Sequence, residues 1–155
     1  MVRERFLATV ERAAAGDLTS WEMEPRSLLA LIVVLDQFPR NMFRGNARAF
    51  ATDARALAAA QRMVAAGWDQ GLSPVERMFV YLPFEHAEDA AMQARALELF
   101  DRIAAAPELG DVIDYARRHQ AVIARFGRFP HRNEILGRVS TPEEIEFLSQ
   151  PGSSF

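Results

Sequence analysis

Apolar residues recur every three or four positions along almost the whole chain, and no alternating run long enough for a half-buried strand is present. That periodicity points to an all-α fold. The first segment, over 2–15, puts Val2, Phe6, Val10, Ala13 and Ala14 on one face, with Gly16 as a stop. The second, over 25–38, is apolar on most sides from Leu28 to Leu35, a pattern that belongs in the centre of a core. Its β-branched residues would also suit a buried strand, but its length and the lack of a partner strand favour a helix. The third, over 53–66, is rich in Ala, carries Leu57, Gln61 and Val64 in line, and stops at Gly67.

The later segments are marked by their caps. Ser73-Pro74-Val75-Glu76 combines an N-cap, a proline at the first helical position and a capping-box glutamate. Val75, Met78, Phe79 and Leu82 form the stripe that follows, and Pro83 is expected to end or kink it. A fifth helix over 88–105 opens on Glu88 and Asp89, which suit the positive end of the helix dipole. A sixth spans 111–126. A seventh starts at Thr141-Pro142-Glu143-Glu144, a second capping box, and the tail from Gln150 to Phe155 is expected to be loosely held. About seven helices in pairs with short joints, in one domain over 1–155, follow from this pattern.

Composition excludes several chemistries. All 18 basic residues are Arg, so there is no Schiff-base or P-loop lysine. Without Cys there is no disulfide, thiolate metal site or cysteine nucleophile. A net charge of -3 gives no electrostatic case for nucleic acid. The apolar run Leu28–Leu35 is far short of the roughly 20 residues that span a bilayer. The start, Met1-Val2-Arg3-Glu4-Arg5, lacks the apolar stretch of a signal peptide. The expectation is a soluble, cytoplasmic protein with no membrane or nucleic-acid partner and no cofactor.

Two stretches echo each other: Gln37-Phe38-Pro39-Arg40-Asn41-Met42-Phe43-Arg44-Gly45 and Arg128-Phe129-Pro130-His131-Arg132-Asn133-Glu134-Ile135-Leu136-Gly137-Arg138. A Phe-Pro step is expected to stop the preceding helix and set the following residues on a fixed path. Arg40, Arg44, Arg128 and Arg132 would then supply planar forks for an anion, with Asn41, His131 and Asn133 reading further hydrogen bonds. The plainer alternative is that Asp36 pairs with Arg40 at a helix end and that the asparagines cap turns. A third stretch, Tyr81-Leu82-Pro83-Phe84-Glu85-His86-Ala87-Glu88-Asp89, sets acidic groups around His86. His86, Glu85 and Asp36 are the candidates for acid–base work. The spacing matches no common metal-ligand motif, and no metal is expected. His119 sits on an apolar stripe four residues after Tyr115 and reads as a hydrogen-bonded core histidine.

These motifs, in this order, together with Ala49-Phe50-Ala51-Thr52-Asp53 and Ser140-Thr141-Pro142-Glu143-Glu144, resemble the bacterial domain-of-unknown-function 924 family over nearly the whole chain. The resemblance implies a tetratricopeptide-like array of antiparallel helix pairs without a settled activity, although a strict repeat of about 34 residues is not visible. It transfers no catalytic residues. Members usually carry a further segment rich in Phe and Trp before the part resembling Arg3-Glu4-Arg5-Phe6. Without it, any site it completes would be open and apolar surface it covers exposed.

Three functions are compatible with these residues. The first is binding of a small anionic ligand or acidic peptide in a cleft between helix ends. The second is a small hydrolase or lyase using Asp36, Glu85 and His86. The third is a scaffold whose helical groove binds a protein partner, with Asp36 and Arg40 in contact and no cavity beside them.

Overall fold

The computed structural model describes residues 2–155, apart from the side chain of Val2. Among these residues the chain forms seven α-helices and no strand. They are α1 (Val2–Ala15), α2 (Pro25–Met42), α3 (Asp53–Ala65), α4 (Pro74–Glu85), α5 (Ala90–Asp101), α6 (Val112–Phe126) and α7 (Pro142–Leu148). Short 3₁₀ turns join most of them. The placement expected for Val2 on the inner face of α1 lies outside the described residues.

Local chemistry explains most of the boundaries. Ser73 and Thr141 each accept a hydrogen bond from the backbone N–H three residues on, and Glu76 and Glu144 return the favour, so both capping boxes form. Gly127 ends α6 in the left-handed region at φ +72°, donating its N–H to the Ile123 carbonyl. α5 is shorter than the spacing predicts. Asp89 is its N-cap, accepting from the Met92 N–H, and Glu88 turns away to pair with Arg138.

Proline does not stop α2 or α4. α2 runs through Pro39 to Met42, and α4 runs through Pro83 to Glu85. Pro39 has no N–H to give the Leu35 carbonyl, an omission that normally breaks a helix. Here the Thr52 hydroxyl, at the N-terminus of α3, donates to that carbonyl at 2.6 Å in a buried position. A side chain from the neighbouring helix thus supplies the bond that the backbone lost. Replacing Thr52 by Val keeps the shape and removes the donor. The expected result is a loss of about 1–3 kcal/mol in urea denaturation, the cost of a buried polar group left unpaired. An unchanged midpoint would show that the carbonyl needs no such donor.

The core is built around α2 and α4. Leu28, Ile32, Val80, Tyr81 and Phe84 are almost fully buried, as are Ala56, Ala60, Met63, Leu99 and Phe100 around them. The small side chains of α3 let it pack closely on α2. α2 also packs on α1 and α4, and α4 on α3, α5 and α6. Trp21 and Trp68 rest partly buried against this core, as packing anchors. A smaller cluster of Val122, Ile123 and Phe129, with Phe126 and Phe147, holds the last stretch against α6. The tail is held more closely than its composition suggests. Ser153 is buried, its hydroxyl donates to the Leu148 carbonyl, and the Phe155 ring packs on His119.

Candidate functional site

Because α4 lies between α2 and α6, its last residues face both. Glu85 and His86 are adjacent in sequence, yet each meets a different neighbour. His86 Nδ1 lies 2.7 Å from Asp36 Oδ1 in the C-terminal half of α2. Asp36 is 1% exposed, and its other oxygen accepts from Gln37 Nε2 at 2.7 Å. Burial alone would push the Asp36 carboxyl up, but His86, Arg40 and the Gln37 amide together hold it below the ordinary aspartate value. An ionised Asp36 therefore fixes the hydrogen on His86 Nδ1.

Glu85, also buried, faces the other way. His119 Nδ1 of α6 is 2.8 Å from Glu85 Oε1 and 2.8 Å from the Tyr115 carbonyl oxygen. A carbonyl can only accept, so His119 also carries its hydrogen on Nδ1. Among the described residues neither imidazole uses Nε2 in a hydrogen bond within the protein. The two rings stand 6.3 Å apart, centre to centre. The corner that aims them is tied down by Gln93 of α5, fully buried, whose amide donates to the Glu85 and Ala87 carbonyls at 2.6 and 2.8 Å.

Both imidazoles line a cavity of about 290 Å³ shared with Gln37, Arg40, Glu85, His131 and Arg132. Phe50, Leu82, Tyr115 and Phe155 complete its wall. Arg40 grips Asp53 through two bonds of 2.7 and 2.9 Å and reaches Asp36 Oδ1 at 3.2 Å. Arg132 lies between the Phe50 and Phe129 rings, 4.5 and 4.7 Å from their centres. It donates to the His86 carbonyl at 2.9 Å and to Asp53 at 3.4 Å. Burial pushes the Arg132 guanidinium down to about 10, which leaves it charged at neutral pH. Burial, then the neighbouring Arg132 and His119, push His131 down to about 4, so it stays neutral there.

Residues that line the cavity carry polar atoms that no other described residue pairs with. Five buried side-chain polar atoms among the described residues have no hydrogen-bond partner, and three of them belong to its lining: Glu85 Oε2, His131 Nδ1 and Arg132 Nε. A second hollow of about 450 Å³ adjoins it across Phe50, His86 and Arg132. Among the described residues no three His, Asp or Glu side chains are placed to hold a metal ion, and no helix is long and apolar enough to cross a membrane.

The structure therefore gathers Arg40, Glu85, His86, His131 and Arg132 in one cavity, with Asp36 directly behind His86. It places the other candidates elsewhere. Asn41 and Arg44 are exposed and line none of this cavity. Arg128 forks onto Glu144 with two 2.8 Å bonds, and that pairing holds the Glu144 carboxyl down to about 2. Asn133, 1% exposed, donates to Ser140 and Glu144 and accepts from Arg138, which itself grips Glu88. The second echo is thus half site and half staple. His119, Gln37 and Asp53 were not legible as site residues. His119 stands 34 positions from its partner Glu85, a separation at which no spacing rule operates.

Fold and site together define an all-helical protein with an imidazole-lined polar cavity between the C-terminal parts of α2 and α4 and the first half of α6. The chain belongs to the family described as bacterial protein of unknown function (DUF924), whose model matches residues 1–152. It is similar to the solved structure of a protein of unknown function, ATU0120, from Agrobacterium tumefaciens. The two are 45% identical with a TM-score of 0.87, over 95% of this chain and 81% of that one. No protein with a curated description matches it.

Proposed function

We propose that this protein binds a small anionic ligand in the cavity between the C-terminal parts of α2 and α4 and the first half of α6. The observation that carries the reading is the set of unpartnered buried polar atoms on Glu85, His131 and Arg132. Such groups each cost folding free energy unless something pairs with them, and they concentrate where a ligand does so. The ligand must offer a hydrogen-bond donor to Glu85 and an acceptor to Arg132. Asp36, Asp53 and Glu85 outweigh the charge of Arg40 and Arg132, so the acidic group is held by hydrogen bonds from Arg132 and not by an excess of positive charge. The same reading takes the chain as one cytoplasmic domain with tetratricopeptide-like stacking.

A second reading is favoured by one specific feature, the Asp36–His86 pair. A carboxylate that orients an imidazole, with the far nitrogen left free, is an arrangement suited to moving a proton. On this reading His86 Nε2 takes a proton from water or substrate, and Arg132 stabilises the negative charge that develops. The scaffold alternative expects Asp36 and Arg40 in contact without a cavity beside them. The contact is present, and so is the cavity.

The test is a thermal-shift panel of carboxylated and phosphorylated metabolites. A ligand held at 100 times its dissociation constant adds about 2.7 kcal/mol to stability. Arg132→Met is expected to abolish the response, and a response that survives it unchanged would place the ligand elsewhere. For the second reading, His86→Gln should stop turnover while leaving binding within a few-fold.

A further inference from the structure

The Phe155 ring sits in a box of other rings. It stacks on His119 at 4.1 Å between centres and 32° between planes, and meets the edges of His131 at 5.7 Å and Phe129 at 6.1 Å. The platform is well fixed, since His119 is buried and its Nδ1 is bonded to the Tyr115 carbonyl, with Glu85 Oε1 2.8 Å away. The occupant is more lightly held. Phe155 is 41% exposed, and among the described residues the one hydrogen bond from 151–155 is Ser153 Oγ to Leu148. The ring also leaves the polar atoms of its surroundings unserved. His131 Nδ1 and Glu85 Oε2 are buried without partners, and a phenyl ring offers them nothing.

We infer that Phe155 holds the place of a planar ring belonging to the ligand, and that the ligand is an aromatic or heteroaromatic acid carrying a further polar substituent. This rests on the anion-binding reading of the same cavity. Its ring would lie on His119 where Phe155 now lies, and its substituent would pair with the atoms that Phe155 leaves unpaired. Its acidic group would face Arg132. Binding requires the 151–155 segment to swing away, so Phe155 competes with the ligand. An aliphatic acid of the same size would gain no stack and displace the ring poorly.

The experiment titrates wild type and Phe155→Ala with 4-hydroxybenzoate, cyclohexanecarboxylate and inorganic phosphate, following the imidazole resonances by NMR. The expected result is that 4-hydroxybenzoate binds Phe155→Ala at least tenfold more tightly than wild type. It should also bind that variant at least tenfold more tightly than cyclohexanecarboxylate does. If cyclohexanecarboxylate or phosphate binds as well as the aromatic acid, the ring subsite is overturned and the anion reading stands. Weaker aromatic binding to Phe155→Ala makes Phe155 a wall rather than a placeholder and overturns the exchange. If no probe binds either protein, both readings fall. Phe155→Leu, which keeps an apolar cover without the stack, repeats the comparison should Phe155→Ala fold poorly, with the same tenfold ordering expected at smaller amplitude.

Discussion

Replacing Asp36 by Ala is expected to destabilise the protein by about 3 kcal/mol, near the lower end of the cost of breaking a buried charged pair. Asp36 is almost fully buried in the C-terminal half of α2 and answers three donors, on His86, Arg40 and Gln37. Without it, His86 loses the group that fixes its hydrogen and its orientation. Arg40 keeps both bonds to Asp53 and some exposure to solvent, which keeps the loss low in that range. Asp36→Asn separates charge from shape, because the amide oxygen can still accept from His86. Its loss should be smaller, and its effect on ligand binding or turnover reports the electrostatic part alone. Equilibrium denaturation of the two variants, side by side, makes the comparison. A loss under about 1 kcal/mol for Ala would mean that the pair gains little over its solvated alternatives.

Phe129→Ala is expected to be as damaging or more so, at about 3–5 kcal/mol, by removing a large buried side chain whose surroundings collapse only in part. Phe129 is fully buried and is the hub of the second cluster. One face carries the Arg132 guanidinium, the ring meets His119 edge to face at 5.5 Å, and it lies tilted against His131 at 5.8 Å. The substitution should therefore also disorder the cavity wall. His119 and His131 should show altered imidazole resonances even where the protein still folds. Phe129→Leu restores most of the volume but no ring contact, so it should recover more than half of the stability and less of the histidine environment. Equal recovery of both would mean that the rings act only as bulk.

The two echoes show where sequence reasoning carries and where it ends. Both contain Phe-Pro-(x)-Arg-Asn, and both contribute an arginine to the same cavity, Arg40 and Arg132. In the first, however, the helix continues through the proline, because Thr52 of another helix supplies the missing donor. In the second, α6 has already ended at Gly127, and the proline opens a short 3₁₀ turn. One motif thus sits on two backbones. The asparagines diverge for the same reason: Asn41 faces solvent, whereas Asn133 is locked among Ser140, Glu144 and Arg138.

What the sequence determined by itself is what depends on neighbours three or four positions away. The all-helical class, the capping boxes at Ser73 and Thr141 and the stop at Gly127 arise from backbone sterics and side chains within one turn. So does the burial of the Leu28–Leu35 face. The tertiary structure alone decided that Asp36 holds His86, 50 positions on, that Glu85 turns to His119 rather than to its own neighbour, and that Phe155 covers the result. Those pairings depend on how α2, α4 and α6 cross and on which way two adjacent side chains leave one helix end. Crossing geometry is the sum of many weak packing contacts along whole helices, and no short stretch of sequence encodes it.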